Sequence, residues 1–136
     1  MLAILMTALL AADDGPEADL DLMQGTWVLV ATADSPPGAK VFVPTDGSFK
    51  LTRKGNTALA RQRKKVGKPF FYSLNPLANP KQIDTIDADG TRLLGIYELK
   101  GDTMKVTSSP PGVPRPASFV ASNCTIAVYG REKPKP

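Results

Sequence analysis

The side chains in this chain that could do chemistry are few, and their spacing suits catalysis poorly. None of the 136 residues is a histidine, which removes the commonest general base and metal ligand. Cys124 is the single cysteine, so neither an intrachain disulfide nor a cysteine metal cluster can form. With no histidine to activate it, Cys124 reads as a half-buried strand-end residue and not as a nucleophile. Serines are frequent, yet no nucleophile elbow or Ser-x-x-Lys spacing occurs. Asp84 and Asp87 stand three apart on an extended segment and so face opposite ways. Asp87, Asp89 and Gly90 read as turn chemistry, because the further acids of a metal loop do not follow. No catalytic, metal-binding or cofactor-binding residue is assigned, and the chain is not expected to be an enzyme.

Charge is the next candidate. The net value is +4, but its distribution is sharper than its total. Asp13, Asp14, Glu17, Asp19 and Asp21 occur with no cation among them, and the stretch 13–22 reads as a solvated acidic linker. Arg53, Lys54, Arg61, Arg63, Lys64, Lys65 and Lys68 occur with no acid among them. Arg61, Arg63, Lys64, Lys65 and Lys68 form a candidate polyanion patch, for which a solvated strand face is the plainer reading. On one strand Arg61, Arg63 and Lys65 would share a face and Lys64 the other, unless a turn near Lys64 gathers them. Aromatics are not interleaved with these cations, so nucleic acid is not the expected partner.

Residues 1–12 are apolar and uncharged. The run is too short to cross a bilayer and has the length of a signal-peptide core ending in small residues. Export to the periplasm, cell envelope or medium is therefore expected, with no transmembrane segment left in the mature chain.

The elements that hold these groups have an all-β pattern. A content of 42% hydrophobic residues is enough for one buried core. Thirteen prolines and eleven glycines, spread along the chain, suit short strands joined by turns. Thr26–Ala33 reads as a first strand with Trp27, Leu29 and Ala31 on one face. Ser48–Arg53 alternates, with Phe49 and Leu51 on one side, and Gly55-Asn56 turns it back into Ala58–Lys64. Phe70–Leu74 and Lys81–Asp87 follow, separated by the proline-containing loop Asn75–Pro80. The clearest signal is a hairpin about Gly101-Asp102, which sets Lys100 against Thr103, Leu99 against Met104, Glu98 against Lys105 and Tyr97 against Val106. Ser108–Pro116 is too rich in proline for a strand, and Ala117–Ala121 and Cys124–Arg131 supply the last strands. Closing about eight such strands into a small antiparallel barrel, with no helix required, removes the exposed edges.

Two sets of residues carry a family likeness. Gly25-Thr26-Trp27 on the first strand, with Arg131 on the last, resembles the lipocalin and calycin pattern. That resemblance implies an arginine lying across the tryptophan to close the barrel base. Four segments resemble an uncharacterised lipocalin-like domain family expanded in the planctomycetes. They are Met23–Trp27, Asn79–Asp84, Leu94–Thr103 and Pro110–Pro116, with Leu94–Thr103 the most specific. The resemblance covers about residues 22–132 and implies a typically exported domain with no assigned activity. The basic stretch at 61–68 departs from it.

The expected organisation is a signal-like segment at 1–12, the linker at 13–22, a lipocalin-like barrel at 23–132 and a disordered tail at 133–136. The expected function is binding of a small apolar or amphipathic ligand by the barrel interior, with Trp27, Phe49, Leu51, Tyr97, Leu99 and Met104 as candidate lining. The alternative is a structural or interaction domain of the cell envelope with no pocket. It would be packed solid by those side chains and weakly attached to an anionic polymer through residues 61–68.

Overall fold

Alternation of apolar and polar side chains along short segments is realised here as a closed antiparallel barrel. The computed structural model describes residues 16–33, 46–120 and 126–133. The signal-like segment 1–12, the connector containing Phe42 and Pro44, Cys124, and the tail beyond Lys133 lie outside the described residues. A helix α1 (Pro16–Leu22) precedes β1 (Gly25–Ala33), β2 (Phe49–Lys54), β3 (Thr57–Gln62), β4 (Lys65–Val66), β5 (Phe70–Asn75), β6 (Gln82–Ile86), β7 (Arg92–Lys100), β8 (Thr103–Ser108) and β9 (Ile126–Arg131). The order β2-β1-β9-β8-β7-β6-β5-β3, with β2 also paired to β3, closes eight strands on themselves. Each barrel strand therefore pairs with its neighbours in the chain, and β9 returns to β1, so no barrel strand is left with a free edge. β4 is a short addition outside the barrel, hydrogen-bonded to β3 alone.

The β7–β8 hairpin has the register its side chains favour, with Leu99 opposite Met104 and Glu98 opposite Lys105. Gly55-Asn56 joins β2 to β3 as a two-residue turn in which Gly55 has φ of 61°. On β1, Trp27 and Leu29 face inward, but Ala31 does not share their face. A β-bulge between Leu29 and Ala31 shifts the pairing with β9 and leaves Ala31 exposed. Residues 117–120 are not a strand either. β9 already fills the gap between β8 and β1, and residues 109–120 run over the outside of the barrel.

That outer run is firmly tied down. Ser109 donates its backbone N–H to Leu94 O at 2.9 Å and its hydroxyl to Pro114 O at 2.7 Å. Arg115 donates to Gly95 O at 2.8 Å and pairs with Asp84 at 2.7 Å. Lys105 lies 4.5 Å from the Phe119 ring centre.

The acidic segment is a greater departure. Residues 16–22 form a helix rather than a solvated linker, and Asp19 is 8% exposed. Its carboxylate accepts from the Tyr97 hydroxyl at 2.6 Å and from Lys81 Nζ at 2.9 Å. Burying an acid is costly unless donors meet it. Here one donor comes from β7 and the other from the turn before β6, and neither is adjacent in sequence. Leu20 and Met23 meanwhile join the apolar core.

Candidate functional site

Register divides the barrel into two ends. Gly25, Lys54, Thr57, Gln82, Lys100, Thr103 and Arg131 mark the base. Ala33, Phe49, Gln62, Ile86, Arg92, Ser108 and Ile126 mark the mouth. The base is filled. Trp27, Tyr97, Met23 and Met104 are all at most 1% exposed and pack with Leu20 and Leu99. Trp27 donates its indole N–H to Met23 O at 2.9 Å. Arg131 places its guanidinium carbon 4.3 Å from the Trp27 ring centre. The same guanidinium donates to Gln24 O at 2.8 Å, to Leu22 O, and to Asp102 at 3.3 Å.

One cation thus stacks on the tryptophan, caps the C-terminal carbonyls of α1 and ties β9 to the β7–β8 turn. Gln24 completes the closure, accepting from Gly55 N at 2.5 Å and donating to Gly55 O at 3.0 Å.

Above this layer the interior opens. A cavity of about 380 Å3 is lined by Phe49, Leu51, Ala60, Phe70, Ile83 and Ala127, with Arg53, Thr85, Val106, Thr107, Ser108 and Tyr129 also on its wall among the described residues. Small side chains on β3, β6, β8 and β9 leave this space, where larger ones would have filled it. Of the six residues expected to line a ligand site, Phe49 and Leu51 do so. Trp27, Tyr97, Leu99 and Met104 belong to the packed base, because the helix at that end presses the core together beneath them.

Sequence reasoning missed Arg53, Phe70, Ile83, Thr85 and Tyr129. Their alternation with outward-facing neighbours was available as a signal, but which strands converge on one space was not. Tyr129 is buried enough that its hydroxyl is pushed upward in pKa, an effect that the nearby Arg53 charge only partly opposes. Tyr97 is shifted the same way, first by burial and then by its bond to Asp19.

The basic residues are only partly brought together. Arg61 faces Val66 and Gln62 faces Lys65 across a tight turn in which Arg63 adopts φ of 56°. The turn gathers Arg61, Arg63, Lys64 and Lys65 on one exposed hairpin at the mouth end of the barrel. Arg63 makes a loose pair with Asp46 at 3.7 Å. Lys68 stands apart, lining a separate hollow of about 330 Å3 with Phe70, Asp87, Ala88 and Asp89. Asp87 and Asp89 serve the turn: Gly90 N donates to Asp87 O at 2.9 Å and Thr91 N to the Asp89 carboxylate at 3.0 Å. Among the described residues no group of three or more acids and cysteines is placed to hold a metal.

The arrangement is an eight-stranded antiparallel closed barrel of lipocalin-like form, shut at one end and hollow towards the other. Compared with known proteins, the chain matches no family description, no curated protein and no solved structure.

Proposed function

We propose that this protein is a non-enzymatic binding module that holds a small apolar or amphipathic ligand inside its barrel. The observation that carries the reading is the cavity of about 380 Å3 above the packed base. Its volume falls within the roughly 300–1,000 Å3 of small-molecule sites, and its mostly apolar wall with a few polar groups is of the same kind. A structural or interaction domain of the cell envelope with no pocket would gain nothing from this space, since unfilled interior sacrifices packing energy. Kinship with the planctomycete lipocalin-like domains belongs to this reading and is supported by the resemblance of the four segments and by the Trp27–Arg131 stack. Export belongs to it as well, supported by the apolar run at 1–12. Finding a mature N-terminus beyond residue 12 in protein from the native host tests that part.

Binding itself is tested with N-phenyl-1-naphthylamine, a neutral apolar fluorophore. Saturation at one probe per chain is expected, together with loss of binding in Ala127→Phe, which fills the space. Undiminished binding in that variant would place the probe outside the barrel and end this reading.

A further inference from the structure

Arg53 differs from the other buried residues in having a charge with no carboxylate to answer it among the described residues. β2 turns it inward, level with Gly25 and Ala58, and it keeps only 5% exposure. Neither its Nε nor its Nη1 has a hydrogen-bond partner among the described residues, and both atoms are buried. The groups that act on its charge are Tyr72 and Tyr129, and no carboxylate is among them. Tyr72 offers its ring face, with the guanidinium carbon 4.3 Å from the ring centre, and a side-chain hydrogen bond, but no counter-charge at neutral pH. By contrast Arg92, Arg115 and Arg131 each have a carboxylate within pairing distance. Buried arginines are rarely left so, because an ion in apolar surroundings is costly unless a counter-charge and hydrogen bonds meet it.

This unanswered charge lies in the wall of the cavity, towards the base. Apolar side chains from Phe49, Leu51, Phe70, Ile83 and Val106 surround the space beyond it. Tyr129 lies on the same wall and, being held protonated, can donate a second hydrogen bond. At the mouth end the exposed hairpin of Arg61, Arg63, Lys64 and Lys65 has the same sign of charge.

We propose that Arg53 is the counter-ion for a carboxylate-headed ligand whose aliphatic body fills the cavity. The proposal rests on the reading of the barrel as a binding module and adds the chemistry of the ligand's head. A guanidinium presents a planar fork that matches a carboxylate with two parallel bonds. The fork lies against the Tyr72 ring, and rotation about its last torsions turns Nε and Nη1 to the cavity. That rotation breaks no hydrogen bond at these two donors; it exchanges the contact with Tyr72 for a charged partner. The basic hairpin raises the local concentration of anions at the mouth and speeds their entry.

The test is calorimetric titration of ligand-stripped protein with decanoate and with 1-decanol, which share a chain and differ in the head. Decanoate is expected to bind about tenfold or more tightly than the alcohol, the size of effect that charge-assisted hydrogen bonds produce. Arg53→Met should erase that preference while leaving decanol affinity within about threefold of wild type. Arg53→Lys, which keeps the charge but loses the fork, should fall between them.

Equal affinity of the two probes for the wild type would overturn the role of Arg53 and leave the cavity reading standing. Binding of neither probe would overturn both. A preference that survives in Arg53→Met and disappears in the Arg61, Arg63, Lys64, Lys65→Gln variant would move the anion to the hairpin and likewise overturn the proposal. Should Arg53→Met fail to fold, Arg53→Lys and the Arg61, Arg63, Lys64, Lys65→Gln variant decide: a preference weakened in the first and kept in the second supports Arg53, and the reverse overturns it.

Discussion

If Arg53 is held ready for an absent anion, then removing it should make the empty protein more stable. Arg53→Met keeps an unbranched apolar stem in the same space and deletes the guanidinium. In the folded state that guanidinium has two donors, Nε and Nη1, buried without partners. Each buried group left unmade costs about 1–3 kcal/mol, so relieving both is worth about 2–6 kcal/mol by that rule. Against this stands the stack on Tyr72 at 4.3 Å, worth ~0.5–2 kcal/mol. The shorter methionine also enlarges the cavity and loses some packing, at ~1 kcal/mol for a few atoms' worth of contact.

The mid-values of these contributions leave a net stabilisation of about 2 kcal/mol. Guanidinium chloride denaturation of ligand-stripped wild type and Arg53→Met checks it through the midpoint, with the slope expected to stay unchanged. In thermal melts the variant should gain several degrees, since about 1 kcal/mol moves the midpoint of a domain this size by roughly 3–6 °C. Adding decanoate should reverse the ranking, because ligand that binds only the folded wild type stabilises it by mass action. A variant destabilised by more than about 1 kcal/mol without ligand would mean that the guanidinium is well satisfied in the folded state, and the reasoning from unmade bonds would be refuted.

Three further outcomes are expected. Trp27→Ala should lose about 3–5 kcal/mol as a wholly buried aromatic is deleted, with Arg131→Ala losing less and the double variant falling short of their sum. Additive losses in denaturant titrations would deny the stack. Tyr97 is raised in pKa by burial and then by Asp19, so its contribution is complete below the ordinary tyrosine value and declines as pH rises past about 10, where only the unfolded chain releases the proton. Tyr97→Phe should cost about 1–3 kcal/mol at neutral pH and flatten that alkaline decline in pH-dependent melts. Tyr129, also raised by burial, accounts for what slope remains. Finally, an Arg61, Arg63, Lys64, Lys65→Gln variant should leave a polyanion resin at lower salt than a control with four cations neutralised elsewhere. Equal elution would make the hairpin an ordinary solvated surface.

How much of this could be read from residue order depends on how local the deciding interaction is. Most strand positions, though not the one expected at 117–121, follow from alternation and turn chemistry among residues a few positions apart, as do the Gly55-Asn56 turn and the register of the β7–β8 hairpin. The barrel itself was legible because short alternating strands joined by turns leave few other ways to cover their edges. Ala31 was misread, since a bulge answers to the pairing partner and not to the strand's own pattern. The acidic segment was misread for a similar reason. Asp19 is a surface residue by type, and only Tyr97 and Lys81, brought from 78 and 62 positions away, make its burial tolerable.

The sequence by itself determined an all-β chain with a tryptophan on its first strand, an arginine on its last and no histidine for catalysis. Periodicity, turn residues and composition are sufficient for those statements. Tertiary structure alone decided that the base is packed while the upper interior is hollow, because a cavity is what several strands jointly fail to fill. It alone decided, too, that one arginine of a basic run points inward. Arg53 is one cation among many in the sequence, and closure of the barrel turns it away from water and leaves two of its donors without partners.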